Sequence, residues 1–207
     1  MISVLLLCLS ASAETIEGEA SVETAASGED VFDGYAARNY YSVRVGYAAM
    51  PVAGELLTGP TFGGTYHYEK GHFTARVLPF ELGLLGSEEG GALSIKTLRF
   101  GAGYVVRPEA GLSPYAGGAV GVPLLYMSAG GDDYDGAGLE GTAFGGVELR
   151  RDKKTRFSLE GELLLPFYTM EPLGGGDTVR PASFSIRLGV ASTTSRTLFE
   201  VIGTMVD

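Results

Sequence analysis

Along most of the chain, apolar side chains recur at every second position. A period of two is that of a β-strand, whose side chains point alternately to two faces. The alternation breaks at clusters of Gly, Pro, Asp and Ser, the residues of turns. Eight segments emerge: YYSVRVGYA (40–48), TFGGTYHYE (61–69), HFTARVLPFELGLL (72–85), LSIKTLRFGAGYVV (93–106), SPYAGGAVGVPLLYM (113–127), LEGTAFGGVELR (139–150), RFSLEGELLLPFYT (156–169) and SFSIRLGVAS (183–192). Most reach the ~9–11 residues that a tilted strand needs to cross a bilayer. The pattern predicts an all-β, eight-stranded antiparallel up-and-down transmembrane β-barrel over residues 40–192, its even strand number leaving both ends on one side.

The connections alternate in character. Lys70-Gly71, Pro108–Leu112 and Arg151–Thr155 are short, whereas MPVAGELLTGP, GSEEGG, SAGGDDYDGAG and EPLGGGDTVRP are longer and rich in Gly and acid. Short periplasmic turns and longer extracellular loops are the habit of outer-membrane barrels. Within the third segment the polar parity shifts between Arg76 and Glu81 around Pro79, which predicts a bulge. The fifth segment is small or apolar on both faces, and its orientation stays open.

Two placements of the faces compete. In a soluble lipid-binding barrel the apolar face lines a cavity; in a membrane barrel it meets lipid and the charges fill the interior. The apolar faces carry aromatics near strand ends: Tyr41, Tyr68, Phe73, Tyr104 and Phe157 near the short turns, and Phe62, Phe167 and Phe184 near the long loops. Two such girdles suit the two membrane interfaces. The polar faces balance Arg44, Arg76, Arg99, Arg150 and Arg187 against Glu81, Glu140, Glu148, Glu160 and Glu162. A closed interior requires that balance, because a buried unpaired charge costs several kcal/mol. The expectation is therefore a lipid-facing apolar surface around a plugged lumen of Arg–Glu pairs, since eight strands enclose only enough space for side chains.

Composition sharpens this at the ends. No run approaches the ~18 apolar residues of a spanning helix. The first 13 residues, MISVLLLCLSASA, have the apolar core and small-residue A-x-A site of a secretory signal peptide, though no Lys or Arg precedes the core. Cleavage there would remove Cys8, the only cysteine. Residues 14–39 read as a flexible acidic leader: Glu14, Glu17, Glu19, Glu23, Glu29, Asp30 and Asp33 precede any basic residue. Residues 193–207 form a C-terminal tail. The chain carries a formal net charge of -10, which argues against nucleic acid as a partner.

Candidate chemistry is thin. His67 and His72 flank a predicted turn, but no third metal ligand accompanies them; they read as interfacial or lumenal residues. A lipid-modifying barrel enzyme needs Ser, His and a carboxylate on one face, and no Ser–His pairing stands out. The stretch from Gly130 to Gly136 has the acidic content of a calcium loop, but Gly131 and Thr142 occupy the positions where Asp and Glu belong. It reads as a solvated acidic loop, with weak divalent bridging to lipopolysaccharide as a second reading. No cofactor, metal or catalytic site is expected.

The stretches LSPYAGGAVGV, AFGGVELRRDKKTRFSLEGEL and SFSIRLGVAS resemble the small outer-membrane β-barrel family, which includes opacity-like proteins and the transmembrane domain of outer membrane protein A. The resemblance covers roughly residues 40–192, and its motifs are generic to the fold. It implies a monomer folded by the outer-membrane assembly machinery, in contact with outer-membrane lipid and lipopolysaccharide. It also implies a structural or adhesin-like role, in which the acidic loops meet a surface ligand. One departure stands out. Family members usually end at the last strand on an aromatic, whereas STTSRTLFEVIGTMVD follows here. That tail reads as periplasmic, as an added strand or as a mask on the assembly signal, and it is too short for a peptidoglycan-binding domain.

Overall fold

The structure, a computed structural model, describes residues 37–193. The signal-like segment 1–13, nearly all of the leader 14–39 and all but the first residue of the tail 193–207 lie outside the described residues. Among the described residues, nine strands form one antiparallel sheet: β1 (Arg38–Val52), β2 (Glu55–Lys70), β3 (Phe73–Gly86), β4 (Gly91–Val105), β5 (Leu112–Ala129), β6 (Asp132–Ala137), β7 (Glu140–Leu149), β8 (Thr155–Pro166) and β9 (Ser183–Thr193). β5 pairs with β6 along Leu124–Ala129 and with β7 along Leu112–Gly121. β6 and β7 are thus one stave interrupted near Gly138, and the barrel has eight staves, closed by β4 on β5. The predicted up-and-down barrel is the observed fold, and β1 begins at Arg38 rather than Tyr40.

The alternation works as read. Among the described residues, thirty large hydrophobic side chains are exposed on the outer surface and its loops, while charged residues lie buried inside. A water-soluble monomer seldom exposes a contiguous apolar patch beyond a few hundred Å². β5 resolves too: Ser113, Tyr115, Leu125 and Met127 point inward, and Val120, Val122, Leu124 and Tyr126 outward.

The bulge at Pro79 is present. Gly64 faces Phe80 and Tyr66 faces Val77, so the single residue Thr65 lies opposite Leu78 and Pro79. Proline has no N–H to give a ladder, which makes a bulge its natural place in a sheet. β4 carries a matching irregularity, in which Leu98 and Arg99 oppose Gly121 alone and Leu98 adopts a φ of 48°. The extra residue in each strand turns both Arg76 and Glu81, and both Lys96 and Arg99, into the lumen.

Two of the four expected long loops are mostly strand. Only Ala53-Gly54 separates β1 from β2, and only Gly130-Gly131 separates β5 from β6. Their φ values are 49° and 82°, and 62° and 84°, the geometry of tight primed hairpin turns. The Gly130–Gly136 stretch is therefore a hairpin tip and strand rather than a calcium loop. Among the connections, residues 167–182 remain the long one, braced by bridges between Met170 and Val179 and between Tyr134 and Pro172.

Gly130→Ala should lower the stability of the refolded barrel by about 1–2 kcal/mol, because its φ is left-handed and a Cβ there would lie 3.1 Å from that of Ala53. Gly174→Ala, whose Cβ meets nothing within 4 Å, should be neutral. Urea unfolding midpoints in detergent separate the two.

Candidate functional site

The lumen is built from inward positions on every stave. Eight cations (Arg38, Arg44, Arg76, Lys96, Arg99, Arg151, Arg156, Arg187) and six glutamates (Glu69, Glu81, Glu140, Glu148, Glu160, Glu162) are buried among the described residues. They form layers along the barrel axis.

At the turn end, Arg151 bonds Glu148 at 2.6 Å and also Glu69, while Arg156 bonds Glu69 at 2.8 Å. The Tyr40 hydroxyl donates towards Glu69 at 3.0 Å and Glu148 at 3.1 Å, and the Arg156 guanidinium lies over its ring. Burial opposes the charge on Arg151, but the adjacent Glu69 and Glu148 carboxylates outweigh it and raise its pKa above the usual value.

In the middle, Glu160 accepts from Arg44 at 2.6 Å, from Tyr115 at 2.9 Å and from Arg76. Arg76 also lies against the faces of Tyr115 and Phe144. One layer further, Glu162 is bridged by Arg187 at 2.8 Å and Arg99 at 2.7 Å. Glu81 meets Arg187 at 2.8 Å and Lys96 at 3.0 Å, and Glu140 meets Arg99 at 3.2 Å.

The register explains how such long side chains fit. Arg44 stands opposite Gly63 on β2 and Gly189 on β9, Arg187 opposite Gly46, Arg76 opposite Gly101, and Glu160 opposite Gly146. A Cβ on Gly46 would come within 2.7 Å of the Arg187 side chain, and one on Gly121 within 2.9 Å of Arg99. The inward glycines are the space that the arginines occupy.

Nine of the ten expected lumenal residues lie inside. Arg150 does not: it is exposed, with a φ of 56°. β7 ends at Leu149, and the left-handed turn at Arg150 reverses the parity, so that the next residue, Arg151, is fully buried in its place. The strand pattern ran one residue too far into the turn. Arg38, Glu69, Lys96, Arg151 and Arg156 are the lumenal charges that alternation missed. Glu69 and Arg156 share parity with recognised neighbours and were within reach of the pattern. Lys96 is visible only once the irregularity at Leu98 is known.

Of the expected girdle, Phe62, Tyr68, Phe73, Tyr104, Phe157, Phe167 and Phe184 are exposed on the outer face. Tyr41 is half-buried, because its ring lies over Gly64, where a Cβ would stand 1.8 Å from the phenol oxygen.

The histidines part company. His72 stacks on Tyr104 at 5.0 Å and shares a hydrogen bond with the Val105 carbonyl. His67 is lumenal, stacked on Tyr40 at 4.3 Å. Its Nε2 lies 2.9 Å from Ser42 Oγ, a Ser–His pairing that the sequence did not reveal. Nδ1 of His67 is buried without a partner, so the third member of a triad is missing. Spaces of about 10 and 20 Å³ lie beside this region, enough for single waters and not for a lipid. No cluster of three metal-ligating side chains occurs among the described residues.

Toward the loop end the lumen changes from charged to apolar. Ala48, Met50, Val52, Leu57, Leu85, Leu125, Met127 and Ala129 pack inward with Tyr134, and Met170 from the 167–182 segment completes the cap. Beside it Tyr168 lies over Gly138, and its hydroxyl pKa is pushed up to about 12 by burial first and by Glu140 second. The expected Arg–Glu plug is thus one part of a two-part filling.

A closed eight-stave barrel, apolar outside and charge-paired within, is the architecture of small outer-membrane β-barrels. Among solved structures it is similar to Neisserial surface protein A, with 14% identity over 77% of this chain and 99% of that one, at a TM-score of 0.57. The attachment invasion locus protein Ail of Yersinia pestis (17% identity, 74% and 99% covered, TM-score 0.44) and the outer membrane protein OprG of Pseudomonas aeruginosa (11% identity, 78% and 99% covered, TM-score 0.46) align more loosely. At such identities the likeness to the Neisserial protein speaks for architecture alone. No protein-family model matches the chain, and no curated protein matches it in sequence.

Glu162→Gln should cost about 3–5 kcal/mol, because it leaves Arg187, Arg99 and Lys96 short of a counter-charge in the interior. Arg151→Ala should also destabilise, whereas Arg150→Ala should stay within about 0.5 kcal/mol. The temperature at which each variant loses its fast-migrating form on unheated gels ranks the three.

Proposed function

We propose that the chain spans the outer membrane as a monomeric, plugged barrel with its turns in the periplasm and its acidic end at the cell surface, where it serves a structural or adhesive role. The observation that carries this reading is the inversion of the faces, with charges inside and Val, Leu, Ile, Phe and Tyr outside. Outer-membrane lipid and lipopolysaccharide are then the solvent of the outer face, and the assembly machinery its route of insertion.

The two ends differ in sign. The turns present Lys70, Arg107, Arg150, Lys153 and Lys154 against Glu109 and Asp152, while the loop end carries eight acidic residues and, as its one basic residue among those described, Arg180. A soluble lipid carrier would need an apolar lumen with room for a ligand, and the ion-pair layers occupy that space. A lipid-modifying enzyme would need Ser42 within reach of a bilayer, and Ser42 faces inward. Ion pairs in the middle and an apolar cap at the loop end leave no continuous aqueous path, which favours a silent barrel over a porin-like one.

The protein should fractionate with the outer membrane, resist protease there, migrate faster on gels before heating than after, and give no steady conductance in planar bilayers. Recovery in the soluble periplasmic fraction would sink this reading. Turnover of labelled phospholipid or lipopolysaccharide by the purified barrel would overturn its non-enzymatic part.

A further inference from the structure

A groove of about 490 Å³ runs along the outer side of β4, β5 and β6 at the loop end. Its apolar walls are Leu93, Tyr126 and Leu173, and the carboxylates of Asp133 and Asp135 line it. Leu173 is 70% exposed, yet it is not loose. Its N–H donates to the Asp133 carbonyl at 2.9 Å, and the turn that carries it is closed by Gly175 N–H on the Pro172 carbonyl at 2.9 Å.

The neighbouring tips are tied in as well. Glu55 accepts from Ser87 Oγ at 2.7 Å and from the Gly130 N–H, so the hairpins β1–β2, β3–β4 and β5–β6 meet at one side chain. A leucine held outward beside the exposed ring of Tyr126 is a preformed apolar contact. Its surroundings are strongly negative, with Asp132, Glu88 and Glu89 adding to the two lining carboxylates.

We infer that this groove binds a cationic amphipathic polypeptide segment, one that alternates Lys or Arg with large apolar side chains. The apolar side chains would pack on Leu93, Tyr126 and Leu173, and the cations would face Asp133 and Asp135. The charge selects this occupant: an anionic lipid headgroup meets repulsion there unless divalent cations bridge it. The inference rests on the loop end facing outward, as proposed above.

The test uses the full chain in zwitterionic nanodiscs, each preparation first shown to be heat-modifiable, with a fluorescein-labelled Lys–Leu amphipathic peptide and a Glu–Leu counterpart read by anisotropy. The cationic peptide should bind saturably and the acidic one should not. D133N with D135N should weaken binding by about tenfold, and Leu173→Ser should weaken it as well. Glu109→Gln with Asp152→Asn removes the same formal charge at the opposite end and should leave binding unchanged.

Equal weakening by both pairs, binding no greater than to empty nanodiscs, or equal binding of the acidic peptide would overturn the inference. So would saturable capture of magnesium-loaded lipopolysaccharide, lost in D133N with D135N, in the absence of peptide binding. A chain that fails to embed sinks the membrane reading and this inference with it, whereas an embedded barrel that does not bind sinks this inference alone.

Discussion

Glu162 is buried away from bulk water and is held by three cations, Arg187, Arg99 and Lys96. The barrel depends on this kind of contact. A sheet of eight staves turned apolar side outward must put its polar side into a space too narrow for bulk solvent. Every carboxylate there needs a cation in reach, and apart from the Glu148–Arg151 pair those cations come from elements other than its own strand. Glu160 draws Arg44 from β1, Arg76 from β3 and the Tyr115 hydroxyl from β5. A one-residue slip in a stave that carries one of these charges would swing it to the outer face and leave its partner alone. The ion pairs therefore specify register across the barrel, whatever their net contribution to stability.

Much of this was legible in the alternation. The eight staves, the placement of charges on one face and the bulge at Pro79 follow from period, parity and the missing proline N–H. Several of the parts that were not legible share one cause: a local backbone irregularity that alternation does not encode. The left-handed Arg150 exchanged one lumenal arginine for its neighbour. The bulge at Leu98 brought Lys96 inside. Gly-Gly and Ala-Gly tips look like loop sequence, yet their positive φ values close tight turns, so two expected loops became hairpins. The Ser42–His67 contact was out of reach because it depends on the pairing of β1 with β2, which places Ser42 opposite Thr65 and two residues along the same face from His67.

The filling is divided by chemistry along the axis. Ion pairs occupy the turn end and the middle, where inward positions are Arg and Glu. An apolar cap with three methionines, Met50, Met127 and Met170, occupies the loop end. Methionine is flexible enough to fill an irregular space where a closed sheet gives way to loops. The cap also anchors the 167–182 segment: Met170 is its buried foot, and Leu173, three residues on, its exposed contact. The same segment thus joins the sealed interior to the outer surface.

The glycines opposite the lumenal arginines carry a consequence for descent. Arg44, Arg76 and Arg187 each fill a volume that a facing glycine leaves free, so neither position varies alone. A larger side chain at Gly189 would displace Arg44, and a smaller one at Arg44 would leave a void flanked by Gly63 and Gly189. Change in such a lumen should come as compensated exchanges, in which an arginine and its facing glycine trade strands while the charge total and the enclosed volume stay fixed. Related barrels could then drift far apart residue by residue and still hold the same number of cations at the same height, a likeness to be counted in layers rather than in aligned positions.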